Sequence, residues 1–198
     1  MGRSPEAVAR ALDPEAYART LSAGLRGASV TAASGARISL PEGLRRALAI
    51  VRKSGTRGTI WFVGNGGSAS HCSHMSVDFW KNGGLRAAAF NDTSLLTCLG
   101  NDYGYRHVFE RSLRTFARPG DALIAISSSG RSENILRAAA EARRRGVGVL
   151  TFTGFRPDNP LRRKGDLNFY VDSGDYGPVE IVHLALIHCI LDAHIATR

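Results

Sequence analysis

Cysteine is scarce in this chain: three residues in 198, Cys72, Cys98 and Cys189. An odd number of widely spaced thiols makes no disulfide framework, which excludes the small stapled folds of secreted proteins. Long apolar runs are missing as well, and no stretch reads as the ~18–20 residues that a membrane span needs. The opening segment MGRSPEAVARALDPEAYART lacks the apolar core of a secretory signal, so a reducing cytoplasm is the expected compartment. Internal repeats and low-complexity tracts are absent. With 43% hydrophobic and 22% charged residues, the chain is neither disordered nor fibrous. Lysine is the last shortage: 3 residues against 23 arginines.

What stands out is the net charge of +9. Such a surplus invites nucleic acid or a smaller anion as partner. Only two tight basic clusters exist, Arg143-Arg144-Arg145 and Arg162-Arg163-Lys164. Each sits near an expected helix end, where cations complement the helix dipole. No aromatics interleave with them and no nucleic-acid motif is present, so nucleic acid is not an expected partner.

The length suits one domain, expected over 1–198, with helices over 1–55 and an α/β core over 56–198. Val8, Leu12, Leu21 and Leu25 predict a helix over 5–27, and a Gly/Ala/Ser-rich loop is expected around Ser29–Gly35. A second helix starts at a capping box, Ser39 with Glu42, and carries Pro41 in its first turn. From Thr59 onward, short apolar runs (59–63, 86–90, 122–126, 147–151, 167–171) alternate with helical patterns (67–82, 104–117, 131–145, 177–196). Apolar strands between helices indicate a parallel sheet covered on both faces, a three-layer αβα sandwich with helices added at the N-terminus.

Ligands of open parallel sheets bind beyond the carboxyl ends of the strands. Two such ends carry chemistry. Gly64-Asn65-Gly66-Gly67-Ser68 follows the first strand and opens a helix, which makes either a tight turn or an anion site. Ser127-Ser128-Ser129-Gly130-Arg131-Ser132-Glu133-Asn134 crowds hydroxyls onto another helix start. One serine suffices for capping; four suit a phosphate monoester. Neither loop is a P-loop or a dinucleotide fingerprint. The helix after Gly64–Ser68 carries His71, His74 and Asp78, and the last helix carries Glu180, His183 and His188. Two histidines and two carboxylates on two helices suit a divalent metal, although a lone helical histidine is also a common structural residue.

The motifs FVGNGGSASHCSHMSVDF, NDTSLLTCLGNDYGY, ALIAISSSGRSEN, VLTFTG and VEIVHLALIH together resemble the sugar isomerase (SIS) domain family, and within it the phosphoheptose isomerases. The resemblance spans about residues 59–195. It implies a flavodoxin-like SIS sheet and a zinc ion held by His74, Asp78, Glu180 and His188. Here Asp78 stands for the family's glutamate and Glu180 for its glutamine. It also implies a phosphate site at Ser68, Ser127, Ser128, Ser129 and Ser132, with Asn65, Gly66 and Asp102 around the sugar. Asp102 also fits a plain Asn-Asp turn. An arginine that the family carries after its acidic helix residue is missing from Asp78-Phe79-Trp80-Lys81-Asn82. His71 and His183 match no metal position, and Cys72 and Cys98 read as buried small apolar residues.

The implied activity is aldose–ketose isomerisation of sedoheptulose 7-phosphate to a heptose 7-phosphate through an enediol, in a homotetramer with active sites between subunits. The catalytic residues expected are Asp78 as base and His188 as acid, with Glu180 sharing or taking over the base role. The competing expectation is a non-catalytic SIS protein that binds a sugar phosphate or a protein partner, as the replication-initiator-associating branch does.

Overall fold

The computed structural model describes residues 12–197. The first part of the helix expected from residue 5 lies outside them. Helix α1, Pro14–Arg26, begins where the Asp13 carboxylate accepts the Glu15 N–H at 2.9 Å. The segment expected as a loop is instead half of a hairpin, β1 Ser29–Ala32 and β2 Arg37–Ile38. Four small residues carry too little periodicity to announce a strand. Tertiary pairing and the burial of Val30 (1% exposed) impose it. Helix α2, Leu40–Arg57, starts at the expected cap, with Ser39 Oγ accepting the Glu42 N–H at 3.3 Å.

The alternating half follows the pattern read from the sequence. β3 is Ile60–Val63, α3 Gly67–Lys81 and β4 Ala87–Ala89. β5 is Ala122–Ser127, α6 Glu133–Arg144, β6 Gly148–Thr153, β7 Leu167–Tyr170 and α7 Tyr176–Ile195. Between β4 and β5 the chain holds two helices rather than one: α4 Thr93–Tyr103 and α5 Val108–Phe116. The Asp92 carboxylate caps α4 by accepting the Leu95 N–H at 2.9 Å. A 3₁₀ turn over Tyr105–His107 then leads into α5.

The seven strands lie in the order β2-β1-β7-β6-β5-β3-β4. β7, β6, β5, β3 and β4 are mutually parallel, and β1 is antiparallel to both of its neighbours. Numbered along the chain, the five parallel strands follow the flavodoxin-like order 2-1-3-4-5. Strand alternation divides the core in two. Ile60, Phe62, Ile124, Ile126 and Phe152 meet α2, α3 and α7 on one face. Val63, Leu123, Ala125 and Val149 meet α5 and α6 on the other. The result is the expected three-layer α/β sandwich with an antiparallel hairpin added at one edge. Each fully buried large apolar side chain contributes roughly 1.5–3 kcal/mol to it.

Helix α7 revises one sequence reading. Its 20 residues and mean hydropathy of 1.4 are those of a membrane span. Glu180, His183 and His188 interrupt the run and conceal it in the sequence. In the fold, Val179, Val182, Leu186, Ile187, Ile190 and Leu191 of this helix pack into the core.

His183 goes into the core with them, fully buried. Its Nε2 sits 3.0 Å from the Thr153 carbonyl. A carbonyl only accepts, so Nε2 carries the hydrogen and Nδ1 is bare. Burial holds the ring neutral and pushes its pKa from 6.5 down to about 4. Between those values the unfolded chain takes up a proton that native His183 refuses, so stability falls as pH drops through that range. Denaturant melts from pH 7 to pH 4 should show His183→Gln lacking a loss of up to about 3 kcal/mol that the native chain suffers.

Candidate active site at the carboxyl ends of the strands

Two loops meet where β3 and β5 end side by side. In the first, Gly66 has φ 54° and ψ −124°, a backbone that side-chain-bearing residues rarely adopt. It ends the turn out of β3 and serves as the N-cap of α3, with no side-chain hydrogen bond to the helix. At the second loop, Ser132 is the N-cap of α6, and its hydroxyl does not cap that helix either. By contrast, side chains of Asp13, Ser39 and Asp92 cap α1, α2 and α4. Two helix starts whose N-cap residues make no side-chain hydrogen bond to the helix therefore face one space. At α6 the Ile135 N–H is taken by Asn134 Oδ1 at 3.0 Å, and the leading N–H groups of both helices are open to an anion.

That space is a cavity of about 250 Å³, lined by Asn65–Ser68, Ile126–Ser129, Ser132, Tyr176 and Glu180. Ser127 Oγ donates to Ser132 Oγ at 3.3 Å, and Ser129 Oγ accepts the Arg131 N–H at 3.2 Å. Ser128 Oγ is buried without a hydrogen-bond partner. A buried hydroxyl left unpaired costs stability, and a ligand oxygen would satisfy it. Asn65 and Asn134 exchange amide hydrogen bonds at 2.9 Å in both directions, and Tyr105 OH donates to Asn65 Oδ1 at 3.0 Å. The pocket wall is thereby fixed to α6 and to the segment after α4.

The acidic and imidazole groups divide into two places. One nitrogen of His74, one of His188 and a carboxylate oxygen of Asp78 lie within 4.8 Å of one another. The His74 and His188 rings stand 5.6 Å apart, and Asp78 Oδ1 accepts from Asn82 Nδ2 at 3.1 Å. This set fits a divalent metal: two imidazoles and a carboxylate on facing helices, with room for an exchangeable ligand. Glu180, the fourth residue expected there, stands apart from that grouping. Its carboxylate packs over Gly67 so closely that a Cβ there would lie 2.5 Å from Oε2. The reason is electrostatic: Gly67 opens α3, whose positive end attracts a carboxylate. Glu180 thus faces the serine pocket.

Asp102 is not at the pocket. It is exposed on α4, where its carboxylate accepts from Asn101 Nδ2 at 3.0 Å. Cys72 is buried as expected, but Cys98 is exposed, a turn before Asp102 on the same helix. His71 is half-buried with Nδ1 unpartnered, and burial lowers its pKa while the Glu180 charge opposes that shift. Sequence reasoning missed Tyr176, which lines the pocket, and Tyr105, which braces Asn65. The signal was local for Tyr105, which ends the GNDYGY run after Gly104.

Ser128 makes the ligand assignment measurable. Ser128→Ala removes an unsatisfied buried hydroxyl, so unliganded stability should hold or rise by about 0–1 kcal/mol. Affinity for a phosphate ester should meanwhile fall about tenfold. Thermal melts with and without a sugar phosphate check both halves.

The SIS domain family model matches residues 39–154. The phosphoheptose isomerase of Burkholderia pseudomallei is 40% identical over 139 residues, 67% of this chain and 70% of that protein. That of Thiobacillus denitrificans is 39% identical over 145 residues, 69% and 73% of the two chains. The structure of phosphoheptose isomerase from Neisseria gonorrhoeae superposes with a TM-score of 0.78 at 31% identity, covering 95% of this chain and 97% of that one. Fold order, site position and these similarities agree: this chain belongs to the SIS domain family.

Proposed function

We propose that this chain is an aldose–ketose isomerase that converts sedoheptulose 7-phosphate into a heptose 7-phosphate. The observation that carries the reading is the pocket itself. Two helix starts without side-chain caps and an unpartnered serine suit the phosphate, and the Glu180 carboxylate stands at the same wall. The relatives at 31–40% identity bear the name phosphoheptose isomerase.

In this mechanism the phosphate sits against Ser127, Ser128, Ser129 and Ser132, with Ser68, Gly66 and Asn65 along the sugar. A carboxylate removes the proton from the carbon beside the carbonyl, giving the enediol. The proton returns to the neighbouring carbon, and an acid moves protons between the two oxygens. We assign the carbon-bound proton to Glu180, the carboxylate that lines the pocket. Asp78 is turned instead toward His74, 3.4 Å away, and Asn82. His188 is the proton donor to oxygen. His74, Asp78 and His188 would hold zinc, which when bound polarises the carbonyl and stabilises the developing oxyanion.

The whole chain acts as one SIS domain in this reading, and the enzyme is a cytoplasmic homotetramer. Free thiols at Cys72, Cys98 and Cys189 support the compartment. Exposed Val77 and Trp80 on α3, and Tyr176 and Ile181 on α7, support assembly beside the site.

An isomerase assay with purified enzyme tests the assignment. Glu180→Gln should lower kcat by about 10²–10⁴ with zinc content unchanged. Asp78→Asn should first lower bound zinc, measured by elemental analysis. Full turnover in Glu180→Gln would return the base role to Asp78. Native protein that holds zinc and phosphate esters but turns over no ketose phosphate would reduce the chain to a binding protein.

A further inference from the structure

The amino-terminal ends of the parallel strands hold a second and larger cavity, of about 790 Å³. Four cations line it. Lys53 and Arg57 come from the last turns of α2, Arg86 stands just before β4, and Arg118 lies between α5 and β5. Their backbones are fixed. The Arg86 carbonyl accepts the Ile60 N–H at 2.8 Å, and its own N–H donates to the Gly55 carbonyl at 3.2 Å. The Arg118 N–H donates to Asp121 Oδ2 at 2.9 Å, while Asp121 Oδ1 accepts the Thr59 N–H at 2.8 Å. Arg86 and Arg118 therefore flank the start of β3.

The four side chains are exposed and make no ion pair among the described residues. Some arginines elsewhere are paired: Arg45 and Arg46 with Glu42, Arg137 with Glu133, Arg144 with Glu141. Others, such as Arg26, Arg37 and Arg163, are exposed singly. Only here, among the described residues, do four unpaired cations line one cavity. The one carboxylate in the cavity, Asp121, is 5% exposed and is engaged by three N–H donors, Trp61 Nε1 being the third at 2.9 Å. Four positive charges and one negative leave the wall at +3. Beside them lies a ring surface. Trp61 stacks on Phe90 at 4.8 Å, and Phe116 tilts against Trp61 at 6.2 Å with 52% of its surface exposed.

We infer that this cavity is a second ligand site and that it takes a nucleoside di- or triphosphate. A polyphosphate of three or four charges matches the unpaired cations, and a planar base has Phe116 to stack on. A sugar monophosphate has neither the charge nor the ring. The concave shape and volume suit a small ligand rather than a nucleic-acid track. The inference is independent of the isomerase reading, since the two pockets lie at opposite ends of the sheet.

Calorimetric titration of the full chain with ATP, ADP, adenosine and inorganic tripolyphosphate tests it. ATP and ADP should bind one per chain, with adenosine and tripolyphosphate each about tenfold or more weaker. The double variant Arg57→Gln/Arg118→Gln should lose about tenfold or more in ATP affinity and much of its salt dependence at an unchanged melting temperature. Lys53→Gln/Arg86→Gln serves the same purpose should the first pair melt early. Phe116→Ala should weaken ATP and leave tripolyphosphate unaffected. Any of four results overturns the proposal: no ATP binding up to about 1 mM, full affinity in the charge variants, tripolyphosphate binding as tightly as ATP, or displacement of ATP by sedoheptulose 7-phosphate.

Discussion

β3 and β5 are hydrogen-bonded parallel neighbours over Ile60–Val63 and Ala122–Ala125, yet their connections leave in opposite directions. β3 runs through α3 to β4 on one side; β5 runs through α6 to β6 on the other. Right-handed crossovers then place α3 and α6 on opposite faces of the sheet. Their first turns open toward one another above the strand ends. Gly66 and Ser132 leave both helices without side-chain caps, so the backbone itself supplies the field that a phosphate needs. The pocket exists because of that pairing, and no single motif would make it.

The same pairing sets the chemistry on each side. α3 lies against α7 on one face, so His74 and Asp78 meet His188 there. Two turns earlier on α7, Glu180 reaches the start of α3 and rests over Gly67. A side chain at position 67 would displace that carboxylate, so the second glycine of the pair serves the acid while the first serves the turn. The serine loop comes from β5, across the switch point. In the proposed mechanism the serine loop after β5 holds the phosphate and Glu180 on α7 takes the proton, and the two meet only at the seam.

Much of this was legible in the residues. Five apolar-rich runs marked the five parallel strands, because strands covered on both faces are mostly apolar. Buried polar exceptions are Thr151, Thr153 and Asn168, where the Asn168 amide donates to both threonine hydroxyls. Ser39 and Glu42 located α2 because capping is local chemistry. What the sequence concealed was what tertiary contact decides. Ser29–Ala32 becomes a strand because β7 offers it an edge, and Asp102 lies exposed on α4, outside the cavity lining. The metal set was only partly legible. Helical spacing pairs His74 with Asp78, and packing of the last helix adds His188, but no spacing rule reveals that a helix start competes for Glu180.

The charge surplus takes on a definite distribution in the fold. Much of the arginine is neutralised locally, as where Arg144 holds buried Glu141 by two hydrogen bonds of 2.6 and 2.9 Å. That contact keeps the Glu141 carboxyl below its ordinary pKa, with desolvation opposing it. The serine-lined pocket at the carboxyl ends of the strands has no cation in its wall and offers hydroxyls and backbone N–H groups. Four of the unpaired cations, Lys53, Arg57, Arg86 and Arg118, line one cavity at the amino-terminal ends of the strands, around Asp121. A surplus that only favoured solubility would have no reason to collect in a concavity beside an exposed phenylalanine. The two ends of one sheet therefore use different physics for anions: oriented dipoles where chemistry must be positioned, and mobile point charges where binding alone is required.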